Sequence, residues 1–501
     1  MTRNGKKVIF IYNNQSEQRG ARRTDSNGLT SPSPTYIKFL TKWKKCRDAI
    51  AGEDDIKENG QTYLPKPSGM DDDDYKGYKD RAQFFNAAGR TLDGLGGMLN
   101  RKMPIISVPN GMEKYLENVD GKGHTMRQFI DQVCKDALIT GWGGILVDMP
   151  KSEDNVSQAD FERKGLCAYM VHYKAESITK HRWHTEGRSS ELEYVILKEP
   201  TEVKVKDSEF STEIKEYWRV LKVGEDGTYK QTLYDDKLAV ISELVPKSKK
   251  GAFVEIPFSF VSANSEPEEP ILSDLINVNL SHYRKSADYE NGLHWTGVPT
   301  PYERGWVPET KYDENGKEIP TAPMKLGGSQ FLYFPQGTEQ VGYLEFGGSG
   351  LSQLSLAMDK DEERMAILGA RIIANQKKGV EAAETAKIHN AAENSVLASF
   401  ANNMSQIFSR MLRIYLEWTT GQDIQQENVK VEINTDYDVS TMSPAELTAL
   451  VSLWQSGGIA KSDLFRNLKE GEILDNDRKL DEMNAEIDEE QQSRTIPPAE
   501  Q

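Results

Sequence analysis

Residues 351–375 read LSQLSLAMDKDEERMAILGARIIAN. Leu351, Leu354, Met358, Asp361, Met365, Leu368 and Ile372 recur at alternating helical spacing, which lays them along one face of an α-helix. A seam of this kind packs helix on helix. Asp361 stands where an apolar side chain belongs. It either fixes register or partner choice, or it reaches water. Upstream, residues 271–294 read ILSDLINVNLSHYRKSADYENGLH and predict a second helix of similar length, roughly 36 Å at about 1.5 Å per residue. His282, Lys285 and Asp288 interrupt its apolar stripe, which predicts water or neighbours on more than one side. Between the two helices, residues 297–350 are Gly/Pro-rich and strand-like. After a Lys/Gly/Glu break, a third helix from about Ala386 to Trp418 repeats the seam with Leu397, Phe400, Met404, Ile407, Met411, Ile414 and Trp418. Two helices bracketing an insert predict an antiparallel hairpin with a small module at its tip. That shape suits a subunit of an assembly better than a pocket-bearing enzyme.

The bulk numbers fit this reading. A chain of 501 residues buries more than one core, which predicts about two to four modules. The formal charge of −16 disfavours a broad nucleic-acid-binding face. It leaves room for a local basic ring, or for a channel that repels phosphate. Cys46, Cys134 and Cys167 are widely separated and form no CxxC pair, which predicts a reducing compartment. No apolar run approaches the ~18–20 residues of a membrane span, and the start lacks a signal-peptide core. The sequence therefore reads as soluble, intracellular in origin and without membrane contact.

Residues 1–34 are rich in Asn, Gln, Ser, Gly and Arg, and predict a mobile arm. A helix is expected at Pro34–Ile50. The Asp71–Asp74 run opens another, with a stripe from Tyr75 through Phe85 and Leu92 to Leu99. Thr125 and Gln128 form a capping box ahead of a buried helix, which the Gly141-Trp142-Gly143-Gly144 cluster ends before a buried strand at Ile145–Asp148. From Cys167 to Phe260 the pattern is strand-like, at Ala168–Lys174, Tyr194–Lys198, Tyr217–Val223 and Thr228–Tyr234. A returning strand follows at Val429–Ile433, then a helix opened by Ser443 and Pro444, a second short helix after Ser462, and a charged final helix. The fold class is α+β.

No catalytic signature emerges. The Gly141–Gly144 cluster follows a helix and precedes a strand, the reverse of a phosphate loop. His181 and His184 lack a third Cys/His ligand nearby, and no GxSxG elbow is present. Residues 443–469 carry too few cations on their second helix for base reading, so a packing module fits better. The expectation is no enzyme, no cofactor and no metal.

Several stretches resemble the portal proteins of tailed bacteriophages. They are residues 279–291 (NLSHYRKSADYEN), 368–373 (LGARII) and 392–398 (AENSVLA), with Tyr63–Lys66, Phe85–Thr91 and Gly141–Asp148 upstream. The resemblance implies a ring of about twelve copies at one capsid vertex. Such a ring passes double-stranded DNA into the head, docks the terminase large subunit and later holds the head–tail adaptor. Major capsid or scaffold protein would be a further partner. Location would be the virion, and the host cytoplasm during assembly. The implied map is a mobile arm (1–34), an α+β wing (35–269), stem helices (270–296 and 350–376) around a clip (297–349), and a channel loop (377–386). A long wing helix with its returning strand (387–440), crown helices (441–490) and a tail (491–501) complete it. The channel loop would include Gln376, Lys377, Lys378, Gly379 and Glu381, and the clip interface Arg304, Trp306, Phe331, Tyr333 and Phe334. Lys377 and Lys378 are either cations of an otherwise acidic channel or ordinary helix-end charges.

Overall fold

The computed structural model describes residues 28–150, 167–186, 189–205, 208–248, 251–304, 315, 332–334, 340–344, 347–373, 396–437, 444–456, 458–470, 473–474 and 478–494. The chain mixes helix and strand and divides into two compact units. The first takes the described residues within Met1–Leu40, Asp148–Cys167 and Tyr173–Pro257. The second takes those within Thr41–Val147, Ala168–His172 and Phe258–Gln501.

Helix α1 (Pro34–Ala51) starts at its expected proline, and a short α2 (Glu53–Glu58) follows. The stripe from Tyr75 to Leu99 predicts one helix, but the chain makes two, α3 (Asp72–Arg81) and α4 (Ala87–Leu99). The break has a tertiary cause. Ser286 Oγ accepts from the Gln83 N–H at 3.1 Å and donates to the Gln83 carbonyl at 2.7 Å. These backbone groups therefore bond across space, where a continuous helix would bond them internally. Asn86 then caps α4, its Oδ1 accepting from the Gly89 N–H at 2.8 Å. Asp71 opens α3 in the same way, accepting from the Asp74 N–H at 2.8 Å. Gly94, Gly96 and Gly97 lie inside α4 without breaking it.

The short strand β1 (Ile105–Ser107) has no counterpart in the sequence reading. Helix α5 (Met126–Thr140) opens on the expected capping box, with Thr125 Oγ1 3.3 Å from the Gln128 N–H and Gln128 Oε1 2.9 Å from the Thr125 N–H. Gly141 ends it in the left-handed region at φ 66, and a Cβ there would lie 2.9 Å from the Glu268 carbonyl oxygen. The chain turns directly into β2 (Gly143–Asp148), buried along its whole length, and later forms β3 (Tyr169–Lys174).

The first unit is built on a five-stranded antiparallel meander in chain order. Its strands are β4 (Ile178–Glu186), β5 (Ser189–Lys204), β6 (Thr212–Val223), β7 (Tyr229–Tyr234) and β8 (Val240–Leu244). His181 and His184 lie on β4. Strands β5 and β6 run well past the apolar stretches that announce them, pairing from Tyr194↔Lys222 to Lys204↔Thr212. Charged residues extend them through cross-strand pairs such as Lys198–Glu216 at 2.6 Å. Inside, Arg219 grips Glu199 at 2.6 and 3.1 Å and Gln231 at 2.8 Å, while Gln231 donates to buried Asp148 at 2.8 Å. Tyr173 donates to Glu199 at 2.5 Å, and burial holds its hydroxyl well above the usual phenol range. A small hairpin of β9 (Lys247–Ser248) and β10 (Gly251–Ala252) closes the unit.

In the second unit, β11 (Phe258–Phe260) pairs antiparallel with β2, giving the order β11-β2-β3. Trp142 stacks on Phe260 at 4.8 Å between centroids. Then come α6 (Ser273–Gly297), β12 (Thr300–Arg304), β13 (Leu332–Phe334), β14 (Gln340–Leu344), α7 (Leu351–Ile373) and α8 (Val396–Thr420). Strand β15 (Lys430–Glu432) returns to pair antiparallel with β1. Helices α9 (Pro444–Gln455), α10 (Lys461–Glu470) and α11 (Leu480–Arg494) complete the described chain. Helix α8 buries a wider face than its seam predicts, adding Ala401, Phe408, Leu412 and Tyr415. Each large apolar side chain sealed in this way contributes about 1.5–3 kcal/mol.

Two outcomes follow from the packing. A Cβ on Gly144 would lie 2.1 Å from Phe258 Cζ. Gly144→Ala is therefore expected to cost about 1–3 kcal/mol, read as a lower denaturant midpoint, with partial recovery when Phe258→Leu is added. The Cys46 thiol is wholly buried, and desolvation pushes it up to about 11; burial raises Cys134 still further. At pH near 8 a disulfide thiol reagent should modify neither until the chain is unfolded, while the half-buried Cys167 reacts first.

Candidate functional site

The site is the helix pair α6–α7 and the layer it rests on. Leu275 Cδ1 lies 3.8 Å from where a Cβ of Gly369 would sit, His282 Nε2 lies 3.5 Å from Glu362 Oε1, and Lys285 Nζ lies 2.6 Å from Asp361 Oδ2. Numbers rise along α6 as they fall along α7, so the helices run antiparallel. The same register carries into the insert, where β12 pairs antiparallel with β14 from Thr300↔Leu344 to Arg304↔Gln340. β13 pairs parallel on the other edge of β12, giving the order β13-β12-β14. The hairpin thus opens into a three-stranded module.

Asp361 is 1% exposed, which corrects the alternative that it reaches water. Its carboxylate takes Lys285 Nζ on one oxygen and Arg364 Nη1, at 3.3 Å, on the other. A carboxylate removed from water costs several kcal/mol unless a cation meets it. Arg364, on the same helix, meets one oxygen whatever the register, and Lys285 meets the other only in this register, so the pair favours it. Along the seam, Asp361, Met365 and Ile372 are buried, while Leu351, Leu354, Met358 and Leu368 are half-buried. The seam is therefore tightest toward the C-terminal end of α7. The opposite side of α7 leaves Leu356 and Ile367 each 52% exposed.

The polar residues that interrupt α6 have partners, most of them in the α2–α4 segment. Asn279 donates to the Phe85 carbonyl at 2.8 Å and accepts from the Ala88 N–H at 3.1 Å. Arg284 donates to the Tyr63 carbonyl at 2.9 Å, and Asn291 accepts from Arg81 at 2.8 Å. Asp288 accepts from the Tyr78 hydroxyl at 2.7 Å; burial and this carboxylate raise that hydroxyl's pKa. His282 is buried against the Phe85 ring at 5.9 Å. Gly369 completes the layer, where an added Cβ would stand 3.5 Å from Thr91. The stretches Phe85–Thr91, Asn279–Asn291 and Leu368–Ile373 therefore converge on one junction of α4, α6 and α7.

Gln376, Lys377, Lys378, Gly379 and Glu381 lie outside the described residues, as do Trp306 and Phe331. Arg304 ends β12, and Tyr333 and Phe334 lie on β13, in register with Glu303 and Arg304. Sequence reasoning missed Lys285, Asn279, Ser286 and Asp288 as positioning residues. The available signal was their departure from an apolar stripe. Among the described residues no group of His, Cys, Asp and Glu is arranged to hold a metal ion, and no helix is long and apolar enough to cross a membrane.

A family model described as a domain of unknown function, DUF4055, matches residues 271–419, the stretch from the start of α6 to the end of α8. No curated protein matches. Among solved structures, a chain from the virion of a native gene transfer agent particle is 11% identical, with a TM-score of 0.32; the match covers 81% of this chain and 95% of that one. A chain from the neck of an empty gene transfer agent particle, computed with C6 symmetry, is also 11% identical, with a TM-score of 0.33, covering 75% and 86%.

Lys285→Ala leaves a buried carboxylate with Arg364 alone, and should cost about 3 kcal/mol in unfolding free energy. Lys285→Met combined with Asp361→Leu removes both charges, and should return stability to within about 1–2 kcal/mol of the parent. Chemical denaturation of the three chains checks this.

Proposed function

We propose that this chain is the subunit of a bacteriophage portal, a ring through which double-stranded DNA enters and leaves a capsid. The observation that carries the reading is the antiparallel α6–α7 hairpin, with its register continuing into the β12–β14 module and with α8 following. In the proposal α6 and α7 are the stem and β12–β14 the base of the clip. Residues 376–381 line the channel, and α9–α11 form the crown. The ring works by shape and charge and performs no bond chemistry of its own. It docks the terminase large subunit during packaging and the head–tail adaptor afterwards.

The net charge of −16 supports this role physically. Phosphate contacts release counterions and make DNA binding strong, so a conduit that must let DNA slide needs mostly acidic walls. The exposed side of α7, with Leu356 and Ile367, gives each stem an apolar surface for its neighbour.

The test is single-particle electron microscopy of the purified chain, with light scattering for mass. A hollow ring with a projecting stem is the expected outcome. A monodisperse monomer or dimer across concentration and salt would overturn the reading. Within rings, Lys377→Ala with Lys378→Ala should alter DNA packaging or retention while assembly is unchanged. Met365, 2% exposed on the seam, is the complementary site: Met365→Asp buries an unpaired charge at a cost of several kcal/mol and should abolish assembly.

A further inference from the structure

Strand β8 (VISEL) closes one edge of the five-stranded sheet, and among the described residues nothing pairs along its outer side. An edge strand presents a row of unpaired N–H and C=O groups, which proteins usually blunt with charge or proline. The projecting part of this sheet is blunted in that way. Residues 198–204 of β5 pair with β6 alone, and residues 212–217 of β6 with β5 alone. These stretches carry Pro200 between Glu199 and Glu202, and Glu213, Lys215 and Glu216 opposite. β8 has one charge, Glu243. A bulge lies at Ile241, yet Val240 and Ile241 remain 57% and 51% exposed.

Chemistry and reach narrow the occupant. An uncharged, β-branched edge takes an uncharged strand of similar residues. Outside the described residues, only 8–12 (Val-Ile-Phe-Ile-Tyr) run as five consecutive strand formers without charge, Gly or Pro. Lys6 and Lys7 precede this run. They complement Glu243, which is exposed and has no ion pair among the described residues. The chain enters the sheet at the opposite edge. There the Gly28 carbonyl accepts from Lys180 Nζ at 2.9 Å, and the Ser33 N–H donates to the Thr179 carbonyl at 3.0 Å, both on β4. Four strand spacings separate β4 from β8, about 19 Å at about 4.8 Å each. Residues 13–27 span up to about 50 Å when extended, enough to carry the run across. So short a tether holds the run at an effective concentration of order millimolar, which favours its own chain over a neighbour.

We infer that residues 7–12 add as a sixth, antiparallel strand to the outer edge of β8 in their own chain, with Lys7 beside Glu243. The added strand supplies the missing backbone partners and covers Val240 and Ile241. The contact lies within one chain and needs no ring.

Hydrogen–deuterium exchange of the full chain, read by mass spectrometry, tests it. Amides of residues 8–12, and the outward-facing amides of residues 240–244, should exchange roughly tenfold more slowly in the parent than in an Ile9→Asp, Ile11→Asp variant. Ile241→Lys, at a residue already exposed, should release residues 8–12 in the same way. Circular dichroism establishes that both variants keep the parent fold. Protection should stay constant over about a hundredfold range of chain concentration, as a contact within one chain requires. Equal exchange of residues 240–244 in the parent and the Ile9→Asp, Ile11→Asp variant overturns the contact. So does protection of residues 8–12 that survives Ile241→Lys, because the run then lies elsewhere. Protection that grows with concentration assigns the edge to a second copy and overturns the contact within one chain.

Discussion

The structure around α6 and α7 depends on the desolvation of one carboxylate. Asp361 lies in an otherwise apolar seam at 1% exposure, and Lys285 from the facing helix meets it at 2.6 Å. Sliding the hairpin by one turn would take Lys285 away and leave the buried carboxylate with Arg364 alone. The pair therefore favours the observed register, in which β12 and β14 also meet. Thr300 and Leu344 meet in β12–β14 because the helices below deliver them in step.

A second constraint is the accounting of backbone polar groups where the helices meet α3 and α4. The chain between those two helices leaves helical geometry, so its N–H and C=O groups need other partners. Ser286 takes both backbone groups of Gln83, and Asn279 takes the Phe85 carbonyl and the Ala88 N–H. This is why α6 is polar on faces that are nonetheless buried. Its side chains satisfy a neighbour's backbone, and in doing so they orient the hairpin on its base. The stretches Phe85–Thr91, Asn279–Asn291 and Leu368–Ile373 meet at this junction.

Charge is unevenly distributed over the second unit. Acidic residues concentrate in α11, and cations gather in a groove beside α8. Intrachain pairs such as Lys102–Asp436 absorb part of that positive field. A solvent-exposed arrangement of this kind contributes little to the stability of a single chain.

The sequence by itself determined the local elements. Helical spacing located α7 and α8, the Thr125–Gln128 box and Gly141 bounded α5, and the insert between two long helices implied their antiparallel pairing. These features are legible because hydrogen-bonding period and capping act within a few residues. Only the tertiary structure decided that the stripe from Tyr75 to Leu99 breaks into two helices, that Asp361 pairs with Lys285 rather than with water, and that β1 finds β15. Nor could the sequence assemble the groove beside α8, whose cations lie scattered between Arg101 and Lys479. The reason is the same in each case. Ion pairs, strand pairing and backbone clasps act between residues far apart in the chain, and their free energy exists only once packing has removed water from both partners.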